Sequence, residues 1–357
     1  MNEAEIKALI MELSAAVGIS GSEEGAAAVI RRHLECYVTR VWRDRLGNLI
    51  AFKEGEPRGE EKPFSLALVA HLDEIGLMVT GIEQEGALRF TAVGGIDPRI
   101  LPGQPVEVHG RSLLKGVIGA TAPHLLTAAE RKEELTFEKL FIDLGLSREQ
   151  AEAQVRIGDL VSFEVAPTAL VAGNCLTGKS LDNRAGVVTM LICAAELAAV
   201  CHKADLYFVA SVQEEVGLRG ATIAAYSLAP DLAVAVDVTH GEAPGLTPPD
   251  VFEIGGGPVI SVGPNYHPAL TRRLEETARR DRFTVQREAD PGSSGTDAWA
   301  IQVSREGIPC ALLSIPLRYM HTTVELLSLD DLANTGRLLA SFARSIERPF
   351  VEGLACF

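Results

Sequence analysis

The chain has 357 residues, 47% of them hydrophobic, which is long enough to bury a large core and to hold two domains, one interrupting the other. Its 48 acidic against 33 basic residues give a formal net charge of -15 with no basic run, which argues against nucleic acid or an anionic membrane as partner. No stretch approaches the roughly 18 apolar residues of a membrane span. The N-terminal segment carries Glu3, Glu5 and Glu12 where a secretory signal would have a basic start and an apolar core. The cysteines (Cys36, Cys175, Cys193, Cys201, Cys310 and Cys356) are scattered, with no C-x-x-C pair, and read as reduced thiols. A soluble cytoplasmic protein is expected.

An amphipathic helix opens the chain, with Ile6, Leu9, Ile10, Leu13 and Val17 at helical spacing. Gly18-Ile19-Ser20-Gly21 breaks it, and Ser22 is expected to cap a second helix running to about residue 37. A hairpin is expected over 41–52, turning at Arg45-Leu46-Gly47-Asn48-Leu49, and then a polar surface loop over 54–62. The apolar run 64–70 stops at His71-Leu72-Asp73-Glu74 and reads as a buried strand. From about residue 75 the character changes. Short alternating runs at 88–93, 105–108 and 161–165 are punctuated by Gly94-Gly95, Pro98, Pro102-Gly103, Gly110 and Gly116, the signature of a small β-rich unit. Within it, 147–154 reads as a short capped helix. Helix–strand alternation resumes near residue 174. The expected fold class is α/β: a mixed-sheet α/β/α domain of residues 1–74 and 168–357, interrupted by a β-rich, barrel-like insert at 75–167.

Three more apolar runs end in chemistry. Run 207–212 stops at Glu214 and Glu215, run 232–236 stops at Asp237, and run 311–315 leads through Pro316-Leu317-Arg318-Tyr319-Met320 to His321. Asp182, in Gly178-Lys179-Ser180-Leu181-Asp182-Asn183-Arg184, stands just before a long apolar helix pattern. In open α/β sheets, ligands sit outside the carboxyl ends of the strands. His71, Asp182, Glu215, Asp237 and His321 therefore read as the shell of a two-metal site. Two divalent ions about 3.5–4 Å apart can share a water, lower its pKa and polarise a carbonyl, and mixed imidazole and carboxylate shells suit zinc or cobalt. Asp73, two residues after His71, is expected to accept the other imidazole N–H. Adjacent side chains on an extended backbone point to opposite sides, so Glu214 and Glu215 take different tasks, with Glu214 as the general base.

Other polar residues receive plainer readings. His109, His124, His202, His240 and His267 are given no metal role; His240, close after Asp237, either lines the site or, the preferred reading, has a loop or structural role, and His33 lies on a helix surface. Glu74 and Asp97 are expected to be structural or solvated. Gly255-Gly256-Gly257-Pro258 lacks a following Lys-Ser/Thr and reads as a tight turn near the site. Ser180, Ser293 and Ser294 have no adjacent base to make them nucleophiles. Arg318 and Tyr319 either shape the pocket or pack, and Arg318 and Lys179 are the candidate partners for an acidic substrate side chain.

Several motifs occur in a characteristic order and spacing over nearly the whole chain. They are Gly18-Ile19-Ser20-Gly21, Ala70-His71-Leu72-Asp73-Glu74-Ile75-Gly76, Pro123-His124-Leu125-Leu126 and Lys179-Ser180-Leu181-Asp182-Asn183-Arg184. Further on come Gln213-Glu214-Glu215-Val216-Gly217, Asp237-Val238-Thr239-His240, Gly295-Thr296-Asp297-Ala298 and Arg318-Tyr319-Met320-His321-Thr322. In these the chain resembles the M42 peptidases, the glutamyl, leucyl and deblocking aminopeptidases akin to tetrahedral aminopeptidases. The resemblance implies a phosphorylase/hydrolase-like metallopeptidase core that removes N-terminal residues from short peptides. It implies that His71 and Asp237 hold one ion, Glu215 and His321 the other, and that Asp182 bridges, with Glu214 as base and Asp73 as the partner of His71. It also implies that the insert is a dimerisation domain and that dimers assemble into a tetrahedral dodecamer. The alternatives are a related metal-dependent deacylase or carboxypeptidase, and an endoglucanase-type glycoside hydrolase. The last fits poorly, because the acids are matched by histidines and only 5% of residues are aromatic.

Overall fold

The computed structural model describes residues 1–56, 63–171 and 173–354, so the expected loop at 54–62 lies outside the described residues from 57 to 62, as does Cys356. Four apolar runs form the centre of an eleven-stranded mixed sheet. Asp205–Ser211, Ser65–His71, Leu232–His240 and Cys310–Arg318 lie side by side in that order, all parallel. They are rich in Val, Leu and Ala because helices cover both faces. Antiparallel strands flank them. The hairpin Arg40–Arg43 and Leu49–Lys53 adds to Asp205–Ser211. On the other side, Glu325–Ser328, Cys175–Gly178 and Thr168–Ala169 follow Cys310–Arg318. Val259–Val262 also pairs with Cys310–Arg318, and Gln286–Ala289 runs parallel to it.

The larger core cluster joins one sheet face to the helices Glu3–Ala15, Glu24–Leu34, Leu181–Glu196, Pro268–Asp281 and Leu329–Ser345. Arg219–Leu228 and Asp297–Gln302 cover the other face. Leu181–Glu196 is buried all round, which explains its nearly unbroken apolar sequence. It packs on Leu329–Ser345 through Gly336, where an added Cβ would come within 2.6 Å of Ile192.

Between Ser65–His71 and Thr168–Ala169 the chain builds a separate closed barrel of six strands. In barrel order these are Gly76–Ile82, Leu88–Val93, Leu140–Asp143, Leu113–Ala120, Pro105–His109 and Leu160–Phe163, every neighbour antiparallel. Closure leaves no free strand edge, and Leu77, Val79, Phe90, Val106, Ile118 and Ile142 fill its core. The helix Arg148–Gln154 is capped by Ser147 in a capping box.

Some local expectations are corrected. Ser22 does not cap the second helix, which runs from Glu24 to Leu34 behind Glu23. The Glu23 carboxylate instead accepts the N–H groups of Gly21 (2.6 Å) and Gln213 (3.2 Å), so it ties this turn to the Glu214 loop. The sequence reading did not delimit the strands Gly76–Ile82, Leu113–Ala120, Val259–Val262 and Glu325–Ser328. Each is short, interrupted by glycine or buried without alternation, so its period is not visible. Among the described residues, all the cysteines are free thiols, and no helix is long and apolar enough to cross a membrane.

Candidate active site

Parallel register brings the ends of the four central strands to one edge. Ser211 stands beside His71, and Asp237 beside Ser314. Glu214 and Glu215 follow Ser211 in a turn, and His321 lies just past Arg318. The segments that carry the candidate ligands are bent sharply. Ser180, Gln213, Tyr319 and His321 have φ of 60, 55, 59 and 60. A left-handed conformation costs a non-glycine residue on the order of 1–3 kcal/mol, and such residues gather at functional sites.

The five expected ligands and Glu214 converge. Asp182 is central, with Oδ1 3.1 Å from His71 Nε2 and Oδ2 3.4 Å from His321 Nε2, one oxygen toward each imidazole. Glu215 Oε1 is 3.5 Å from His321 Nε2. Asp237 Oδ1 and Glu214 Oε2 are 3.8 and 3.9 Å from His71 Nε2. Two triads have ligand-capable atoms mutually within 4.8 Å: His71, Glu214 and Asp237, and His71, Asp182 and Glu215. His71 Nδ1 lies 3.3 Å from the Asp73 carbonyl and 3.6 Å from its carboxylate. That carboxylate accepts from Ser20 Oγ (2.6 Å) and from the N–H groups of Glu214 (3.0 Å) and Glu215 (3.2 Å). Asp73 therefore holds the Glu214-Glu215 turn as well as bordering His71.

Three contributors escaped the sequence reading. Glu325, 2% exposed, accepts the Asp182 N–H on Oε2 and the His321 N–H on Oε1, each at 3.0 Å, and so fixes the backbones of two candidate ligands with one carboxylate. Its only sequence signal is an acid that opens the apolar run Glu325–Ser328. Asp297, inside the Gly295–Ala298 motif, accepts from Ser211 Oγ at 2.5 Å while its Oδ1 is buried without a hydrogen-bond partner among the described residues. Gly95, read only as punctuation, faces the ring of His321, whose Nδ1 a Cβ there would approach to 2.9 Å. The barrel insert thus borders the site.

Glu74 is structural, but far from solvated. It accepts from Lys179 Nζ (2.6 Å), the Gly18 N–H (2.8 Å) and Ser180 Oγ, with Arg184 at 3.1 Å. Burial raises the Glu74 pKa, but Arg184, Lys179 and the hydrogen bonds outweigh it and hold the carboxyl at about 2. Lys179 is consequently buried against Glu74 and is no partner for a substrate. Arg318 is likewise engaged, through its Nε with the Glu242 carbonyl, and neither it nor Tyr319 lines the cavity. His240, expected in a loop or structural role, does line it. His109 pairs with Ser162, His202 with the Ala204 carbonyl, and His33 with Glu12 on the surface. The His267 ring caps Pro268–Asp281. Asp97 pairs with Arg99, and Gly255 and Gly257 form a turn tied to Asp331.

A cavity of about 780 Å³ opens over the convergent side chains. Among the described residues no Lys or Arg lines it. Burial, reinforced by Asp237, Asp297 and Glu215 and opposed by His71, pushes the Glu214 carboxyl up to about 10. Burial and Asp182, against both imidazoles, carry Glu215 to about 7. Asp237 is raised well above its ordinary range, mainly by burial. Its contact with Asp182 takes His321 up to about 9. Protein charges alone therefore leave carboxyls that retain protons, and a divalent cation displaces such protons when it binds. The donor set, mixed N and O with carboxylates in excess, fits ions such as zinc or cobalt.

The profile of the M42 glutamyl aminopeptidase family matches residues 47–338. The chain is 36% identical to a lysyl aminopeptidase of Pyrococcus furiosus, with 95% of this chain and 97% of that protein covered. It is also similar to the crystal structure of a TET aminopeptidase from a marine sediment Thaumarchaeota archaeon, at 31% identity and a TM-score of 0.92, covering 99% and 100% of the two chains. A third likeness is to the TET1 peptidase of Pyrococcus horikoshii, described as assembling into a tetrahedron or a large octahedral shell. There the identity is 34% and the TM-score 0.83, with 96% and 100% covered.

Proposed function

The chain belongs to the M42 glutamyl aminopeptidase family, and from that membership we propose that it is a two-metal aminopeptidase that removes the N-terminal residue from short peptides. The observation that carries this reading is the position of Asp182, one oxygen toward each of the two imidazoles, with Glu215 and Asp237 beside them. In this reading His71 and Asp237 would hold one divalent ion and Glu215 and His321 the other, with Asp182 shared. Zinc or cobalt, when bound there, would supply an acidified water and a polarised scissile carbonyl.

The chain's own residues do the rest. Glu214, anchored through its N–H on Asp73, accepts a proton at its carboxylate from the attacking water and returns it to the leaving amine. Asp73 and Glu325 keep the ligand-bearing backbones in place, so that little reorganisation accompanies reaction. The acid-lined cavity receives the peptide's free ammonium terminus. The insert at 75–167 serves as the dimerisation domain of a cytoplasmic homo-oligomer; the shells described for the Pyrococcus horikoshii protein support the homo-oligomer. Exposed Leu113, Val117, Leu125 and Ile157 on the insert support it as well.

The test is hydrolysis of aminoacyl-p-nitroanilides and their N-acetylated counterparts by metal-free protein, before and after addition of zinc or cobalt. Metal-restored cleavage confined to free-amine substrates is expected. Cleavage of the blocked substrates would move the assignment to a deacylase, and refusal of every substrate with two metals bound would overturn it.

A further inference from the structure

Family membership leaves the identity of the removed residue open, and the wall of the cavity bears on it. Paired residues on neighbouring strands project to the same face of a sheet. Asp237 is in register with Ser314, Ser314 with Val259, and Ser261, two residues along from Val259, with Glu288. A polar strip therefore leads sideways from the candidate ligand Asp237 to Glu288, and Asp290 continues it two residues on. Both Glu288 and Asp290 line the cavity.

Hydroxyl groups hold these carboxylates in position without neutralising them. Glu288 accepts from Thr239 Oγ1 at 3.1 Å and from Ser261 Oγ at 2.9 Å. Asp290 accepts from the Tyr266 hydroxyl and, at 3.4 Å, from the Gly292 N–H. Among the described residues these are hydroxyls and an amide, with no Lys or Arg beside either carboxylate, and a cation is the natural counterpart of such a pair. A separate observation points to a ligand in the same cavity. Ser314, 1% exposed and part of the cavity lining, has an Oγ with no hydrogen-bond partner among the described residues. Such a buried hydroxyl is costly unless something bonds to it.

We propose that this wall is a receptor for a cationic side chain, so that the enzyme removes N-terminal lysine or arginine in preference to neutral residues and disfavours acidic ones. The inference rests on the aminopeptidase reading and adds its specificity. Tyr266, Trp299 and Leu312 also line the cavity and give the stem apolar surface to lie on. Among the described residues no Lys or Arg lines the cavity to receive a glutamyl side chain, which would lie beside Glu288 and Asp290.

The test compares lysyl, arginyl, norleucyl and glutamyl p-nitroanilides with metal-loaded enzyme. Norleucine has the lysine stem without the ammonium. The lysyl substrate should exceed the norleucyl one at least tenfold in kcat/KM, with the glutamyl one poorest. Glu288→Gln and Asp290→Asn, which keep the size and an acceptor, should each lower the lysyl-to-norleucyl ratio by about tenfold. Equal use of lysyl and norleucyl substrates overturns the proposal, as does a preference for glutamyl. So does an equal loss on both substrates in the variants, which would assign the carboxylates to the α-amine. Titration calorimetry with lysinamide against norleucinamide gives the same comparison without turnover. Should every anilide be refused, the catalytic reading falls, while the calorimetric ratio still decides this one.

Discussion

Asp182 and Glu325 form a nested pair: the aspartate turns one oxygen to each imidazole, and the glutamate holds the backbones of Asp182 and His321. Glu325→Gln keeps one acceptor but turns an amide N–H toward the second backbone N–H. It should weaken metal binding by about 10–100-fold, the usual cost of disturbing an outer partner of a ligand. Metal titration into demetallated protein measures this. His321→Ala should lower the stoichiometry by one ion per chain, read by elemental analysis; two ions at wild-type affinity would refute its place among the ligands. Glu214→Gln should keep both ions and lose about 10²–10⁴-fold in kcat, the contribution typical of a positioned acid–base group.

Between elements, the buried Glu74 ties the break after the first helix to the loop that presents Asp182. It bonds Gly18 on one side and Lys179 and Ser180 on the other. Replacing it with glutamine leaves Lys179 and Arg184 buried without a counter-charge. That should destabilise the fold by about 3–5 kcal/mol, measured by denaturant unfolding. The same carboxyl predicts a pH dependence. Its pKa falls from 4.5 in the unfolded chain to about 2 in the folded one. Its stabilising contribution is therefore complete above pH 4.5 and disappears as the pH falls through 2. The stability gap between wild type and Glu74→Gln should narrow over that window.

At the scale of the whole molecule, the barrel insert touches the chemistry through Gly95 and presents apolar side chains outward. Leu113 and Val117, 56% and 52% exposed, share the outer face of one barrel strand. If the insert joins protomers, Leu113→Lys with Val117→Lys should shift the protein to smaller species in light scattering, with circular dichroism unchanged. An unaltered mass would place the interface elsewhere.

The legible part of this protein was its strands and what ends them. Buried parallel strands must be apolar over their length, so a polar residue at the end of such a run stands out, as His71, Glu214, Glu215 and Asp237 did. The change to short, glycine-punctuated runs marked the insert for a different reason: antiparallel barrel strands are brief and turn often. Only the tertiary structure could reveal Glu325, because one acid before an apolar run looks like any surface residue until its two backbone partners, from distant segments, are brought to it. The same holds for Lys179 and Arg318. Free on paper for an acidic substrate, they are consumed by Glu74 and Glu242, since a cation goes to the nearest carboxylate in space, and sequence distance does not measure that.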